Sequence, residues 1–280
     1  MDGKNRKNKL LNVFLSISPL LLLVLVMYAV LILSATIGLV LAIRQGAGSL
    51  EDAVNAAVSF ASAHIGYAMI LYAIASILIL LIWDKKVFGK GIIELTPGFS
   101  VRNIAGIAVI AVATNYVSLG ILGLYETFIP DAFGDYIDLI DSSGIGSDLL
   151  VSVVYGVILA PIAEELAFRA ISLKYLIRGG LPCWIAVTVQ ALLFGILHMN
   201  LVQSTYTFVL GLVLGAVMLK TGKLFYTVLA HITFNIWGIF ADRIFPWADR
   251  LSPFLLVAIF VPVILFALRY LMEDKGAPAL

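Results

Sequence analysis

Apolar runs of roughly membrane-spanning length recur eight times in this chain, and that recurrence constrains the fold more than any single motif. The runs cover approximately 18–43, 63–82, 104–124, 149–177, 183–203, 205–219, 224–240 and 252–270. A helix rising about 1.5 Å per residue needs about 20 apolar residues to cross a hydrocarbon core about 30 Å thick. Lipid offers no partner to exposed backbone groups, so the spanning backbone must pair with itself. Apolar residues make up 62% of the 280 and charged residues 12%, against about 45–50% and about 25% in soluble domains. No soluble core of this length hides that excess. The expected fold is all-α: a polytopic membrane protein of about eight transmembrane helices in a single membrane domain over 1–280.

The net charge of +1 gives nucleic acid nothing to bind. The single cysteine, Cys183, excludes an intramolecular disulfide or a CxxC metal site and reads as a small packing residue. The run from Leu10 to Ile43 exceeds a signal-peptide core of about 7–15 residues and reads as a retained anchor. An even number of spans puts both termini on one side. That side collects Lys4, Arg6, Lys7, Lys9, Lys85, Lys86, Lys90, Arg102, Lys174, Arg178, Lys220, Lys223, Arg269 and Lys275, and the other only Arg44, Arg243 and Arg250. The positive-inside rule then makes both termini cytoplasmic, in an integral multi-pass cell-membrane protein. The longest outer loop, 125–148, carries Glu126, Asp131, Asp135, Asp138, Asp141 and Asp148 with no Lys or Arg. It reads as a solvated connector rather than a lid.

Ionisable residues at bilayer depth are costly and mark function by default. Here they gather between 149 and 240, the expected catalytic core. Glu165 and Arg169 are four apart on the fourth span, share a helix face and can pair. Glu164 points about 100° away and has no local partner. Pro161 frees a carbonyl about one turn earlier. Phe194 and His198 lie late in the fifth span, and His231 and Asn235 share one face of the seventh. At 1.5 Å per residue, Glu164, His198, His231 and Asn235 sit roughly 20, 22, 10 and 17 Å from the inner end of their spans, depths compatible with a shared cavity.

A carboxylate and imidazoles in a water-poor cavity can orient and deprotonate water. Glu164, His198 and His231 can instead hold one divalent zinc with a position open for water. A histidine or an asparagine amide can donate to a developing oxyanion. These are the parts of a hydrolase acting on an amide bond. The same residue types also build proton- or ion-coupled transporters, although the internal repeats common in those are absent. A non-catalytic immunity protein that keeps only the fold is a third possibility. There is no HExxH and no GxSG. Among the other residues, His64, Tyr125, Trp237 and Trp247 read as interfacial, and Gly211 with Gly215 as a small-x-x-x-small packing pair.

Glu164-Glu165-x-x-x-Arg169, Phe194-x-x-x-His198 and His231-x-x-x-Asn235 resemble, in order, the three motifs of the CPBP family. These are the intramembrane CAAX proteases and bacteriocin-processing enzymes once called the Abi family, whose eukaryotic members are the type II CAAX prenyl endopeptidases. The resemblance covers 164–235. It implies an eight-span helical fold whose cavity opens toward the cytoplasmic half. It further implies that Glu164 activates water with His198, that His231 and Asn235 hold that water, a metal or the oxyanion, and that Glu165 and Arg169 brace the site. Phe194 would pack against it. The implied activity is that of an endopeptidase, metallo- or glutamate-dependent, acting on a hydrophobic or membrane-tethered peptide.

Overall fold

The computed structural model describes residues 3–89, 100–142, 149–244 and 251–271. All regular structure among them is helical. The first helices are α1 (Gly3–Leu15), α2 (Ser18–Arg44), α3 (Leu50–Ala63), α4 (Ile65–Phe88), α5 (Val101–Phe128) and α6 (Pro130–Ser142). They are followed by a long rod, α7, running from Leu149 to Arg178. The chain then forms α8 (Cys183–Leu197), α9 (Leu201–Thr221), α10 (Leu224–Ile244) and α11 (Pro253–Tyr270). Among the described residues six helical stretches are long and apolar enough to cross a membrane, and Cys183–Leu197 and Leu224–Phe240 are shorter apolar helices. The protein is therefore a polytopic, all-α membrane protein.

Local chemistry explains the boundaries. Ser49 caps α3 by accepting from the Asp52 N–H at 3.1 Å, and Ser100 caps α5 from the Asn103 N–H at 3.3 Å. A Cβ on Gly38 of α2 would lie 2.8 Å from the Phe60 Cβ, so the missing side chain lets α3 lie directly on α2. Gly222, in the left-handed region at φ 66°, closes α9.

Two expectations are corrected. The fifth span does not run to 203. It stops at Leu197, and Asn200 starts α9 by accepting the Gln203 N–H on its side chain at 3.0 Å. Between them Met199 adopts φ 51°, a conformation that costs a non-glycine residue about 1–2 kcal/mol. The strong N-cap preference of asparagine outweighs the apolar run. The acidic outer loop is also largely helix. Residues 125–128 complete α5, and 130–142 form α6, with Pro130 at its first position, where a missing N–H is harmless. Asp131, Asp135 and Asp138 recur at helical spacing on one face of α6. Tyr136, off that face, meets Tyr206 of α9 edge-on at 6.3 Å. Asp148 lies outside the described residues.

The core is built around α7. Leu166, Ala167, Phe168, Ala170 and Ile171 are all at most 2% exposed, enclosed by α2, α4, α8, α9 and α10. The rod is not uniform. Its α-helical turns at Ala160–Glu165 and Leu173–Arg178 alternate with wider π-helical stretches at Val153–Leu159 and Leu166–Ser172, a feature that favours functional sites.

Candidate active site

Proline and the π-helical register together set the site's upper edge. Ala160 donates to the Tyr155 carbonyl, five residues back. The next residue, Pro161, has no N–H, so in that register the Gly156 carbonyl loses its partner. Asn235 of α10 takes its place, donating from Nδ2 to the Gly156 oxygen at 2.8 Å. The freed carbonyl expected from Pro161 thus ties α10 to α7.

One turn further, α7 presents two adjacent carboxylates in different settings. Glu165 and Arg169 are both fully buried, with Nη1 donating to Oε1 at 2.8 Å. The same Oε1 accepts from His231 Nδ1 at 2.9 Å. A carboxylate on Nδ1 fixes the ring's tautomer and tilt, leaving Nε2 directed elsewhere. Nε2 lies 3.7 Å from Glu164 Oε2. Glu164 keeps 15% of its side chain exposed, so it is the carboxylate of the pair that a reagent can reach. Glu164, absent a local partner in the sequence, therefore meets a distant one, His231.

Phe194 joins the two histidines. Its ring is fully buried, with the Arg169 guanidinium 4.6 Å over its centroid. His198 and His231 meet it edge-on at 5.2 and 5.8 Å. His198 caps the end of α8, and its Nδ1 donates to the Phe194 carbonyl at 3.0 Å, which leaves Nε2 for another partner. Glu164, Glu165, Arg169, Phe194, His198 and His231 thus form one contiguous cluster, and Asn235 is anchored beside it.

Among the described residues no group of three or more His, Cys, Asp or Glu side chains is arranged to hold a metal ion. Glu164, His198 and His231 are thus not gathered as a ligand set here, and Phe194 meets both imidazoles edge-on. The Glu165 contact at His231 Nδ1 leaves Nε2 as the nitrogen open to another partner, the usual setting of a metal-ligating imidazole.

Several participants carried no readable signal. Gln190 of α8 is fully buried and donates to the Gly211 carbonyl at 2.9 Å. Arg169 Nη2 reaches the same oxygen at 3.5 Å. The phenols of Tyr72, Tyr155 and Tyr206 lie within electrostatic reach of Glu164. A neutral glutamine or tyrosine in an apolar run is indistinguishable from packing until its neighbours are known. Gly211 does serve close packing, since a Cβ there would lie 2.9 Å from the Ala191 Cβ. Elsewhere, His64 stacks on Phe60 at 4.1 Å, and Tyr125 shares a 2.7 Å hydrogen bond with Thr205. Trp237 packs edge-on to Tyr116 at 6.5 Å, and Trp247 lies outside the described residues. Cys183 is exposed rather than packed, because it opens α8 behind a Gly-Gly-Leu-Pro turn.

Residues 146–237 match the family model described as type II CAAX prenyl endopeptidase, Rce1-like. The match takes in α7, α8, α9 and most of α10, and with them every residue of the cluster. No curated protein and no solved structure matches the chain.

Proposed function

We propose that the chain, whose residues 146–237 match the Rce1-like type II CAAX prenyl endopeptidase model, is an intramembrane endopeptidase whose nucleophile is a water activated by Glu164. The observation that carries the reading is the Glu164–His231–Glu165 arrangement, at 3.7 and 2.9 Å across two helices. With its proton held on Nδ1 by Glu165, neutral His231 offers a lone pair at Nε2. A water donating to that nitrogen and to the Glu164 carboxylate is oriented with its own lone pair free for a carbonyl carbon. Glu164 takes the proton as the bond to carbon forms and returns it to the leaving amine, the usual cycle of a carboxylate general base.

His198 meets the Phe194 ring edge-on, and with Nδ1 bound to the Phe194 carbonyl its Nε2 is the nitrogen left for the reaction. In the neutral form it assists the base; protonated, it donates to the developing oxyanion. One Nδ2–H of Asn235 is committed to Gly156, and its second N–H and its oxygen remain for the substrate carbonyl or the water. Glu165 and Arg169 act at one remove, by fixing His231. The preferred substrate is a hydrophobic or lipid-tethered peptide arriving from the bilayer, which needs no soluble groove to find the site.

The basic residues favour cytoplasmic termini. The test of function uses purified protein in detergent micelles with an internally quenched, prenylated CAAX peptide, the products identified by mass spectrometry. Cleavage by the wild type and its loss in Glu164→Gln are expected. Full cleavage by a folded Glu164→Gln protein overturns the proposal.

A further inference from the structure

Gln190 is a polar, uncharged side chain that ties the interior of α8 into the polar cluster. It is fully buried, and its Nε2 donates to two backbone oxygens, Val187 at 2.9 Å on its own helix and Gly211 at 2.9 Å on α9. A hydrogen bond within its own helix could be replaced by any capping contact. The bond to Gly211 is different, because Arg169 of α7 donates to the same oxygen. Three helices therefore meet at one carbonyl. From there the contacts run in a single line: Arg169 Nη1 to Glu165 Oε1, and Glu165 Oε1 to His231 Nδ1.

Two further observations point the same way. A Cβ on Gly215 would lie 2.7 Å from Gln190 Nε2, so a glycine stands where the amide needs room. Arg169 Nε and Gln190 Oε1, a donor and an acceptor, are both buried and make no hydrogen bond. Nε–H lies on the same edge of a guanidinium as one Nη2–H, the group aimed at Gly211. The two side chains thus present matched groups beside one shared oxygen, and buried polar groups are retained against a cost of about 1–3 kcal/mol each when unpaired.

We infer that Gln190 is a positioning residue of the catalytic centre: by holding the Gly211 carbonyl with Arg169 it sets the Glu165 carboxylate and, through it, the tautomer and tilt of His231. The inference rests on the reading of Glu164 and His231 as the water-activating pair. A glutamine that merely glued α8 to α9 would affect stability and leave His231 as it is.

The chain has three histidines, so selective 15N-histidine labelling reads His231 with little overlap and needs no substrate. In the wild type the His231 signal is expected to be the Nδ1–H tautomer. Gln190→Met keeps the length and removes the amide. It is expected to move the His231 signal and leave His64 in place. With the quenched prenylated peptide, kcat falls about tenfold at unchanged KM, a magnitude typical of small misplacements of a reacting group. Added to Arg169→Lys, Gln190→Met costs little more than Arg169→Lys alone, because residues in one network are not additive. If Gln190→Met does not fold, Gln190→Asn, which keeps the amide but withdraws it by one methylene, is expected to give the same spectral change. An unmoved His231 signal with kcat within twofold of wild type, in either folded variant, overturns the inference. Inactive Glu164→Gln beside an unaffected Gln190→Met overturns this inference alone. Active Glu164→Gln overturns the catalytic reading, while the His231 signal still decides the role of Gln190.

Discussion

Two adjacent glutamates with opposite phenotypes make the most direct test of the site. Glu165→Gln is nearly isosteric and keeps an oxygen facing His231 Nδ1, so what it removes is charge. It leaves the Arg169 guanidinium at zero exposure without its paired carboxylate. Breaking a buried pair from one side costs about 3–5 kcal/mol, on the order of 10 °C in melting temperature for a chain of this size. Glu164→Gln removes a partly exposed carboxylate whose contact with His231 is 3.7 Å, longer than a hydrogen bond. Its cost is about 1 kcal/mol or less, yet cleavage falls by about 100-fold or more if Glu164 is the base. Adding Arg169→Met to Glu165→Gln removes the stranded charge and recovers most of the lost stability, since neutralising both halves of a buried pair is often tolerated. It does not recover full activity, because His231 has lost its ionised anchor. The assay is a thermal scan on the four tryptophans in detergent, run beside peptide cleavage. Equal melting temperatures for the two single variants, or a double variant no more stable than Glu165→Gln, refute the reasoning.

Four other outcomes follow from the geometry. Gly215→Ala drives a methyl to within 2.8 Å of Val187 Cγ1 as well as into the Gln190 amide and lowers both melting temperature and kcat. Gly134→Ala, with nothing within 4 Å of the new Cβ, is neutral or stabilises α6 by about 0.5–1 kcal/mol in the same scan. Because Glu164, His198 and His231 are not gathered as a ligand set, peptide cleavage is expected to survive a strong chelator; loss on chelation with recovery on adding zinc would show the histidines converging on a metal. Cys183 is exposed and follows the basic Arg178 end of α7, so an impermeant maleimide labels it in inverted vesicles and not in intact cells. The reverse pattern overturns the cytoplasmic assignment of the termini.

How much of this was legible follows from the range of each signal. The spans could be read because hydropathy accumulates over about 20 residues, and the Glu165–Arg169 pair because helical periodicity alone brings positions four apart together. The end of α8 was not, since the apolar run continues past it and the decision falls to one cap, Asn200. The α6 helix was hidden by its acidity, which reads as solvated loop unless its other face is known to rest on α9. The roles of Gln190, the Gly211 carbonyl and the Gly156 carbonyl depend on which helices face each other. A backbone oxygen carries no residue type at all, so no pattern of letters announces it.

The vacancy that Pro161 leaves in its own helix has a mechanical consequence. A rod with an intact ladder offers its neighbours side chains and, as at Gly211, oxygens already shared with its own ladder, and packed side chains let helices slip along their common axis. Here one unclaimed oxygen is the slot and the Asn235 amide is the key. A slip of even one residue, about 1.5 Å, disengages them. Stretching or thinning the surrounding lipid must then carry both rods as a unit, and the spacing between Glu164 and His231 is preserved while the outer helices tilt around it.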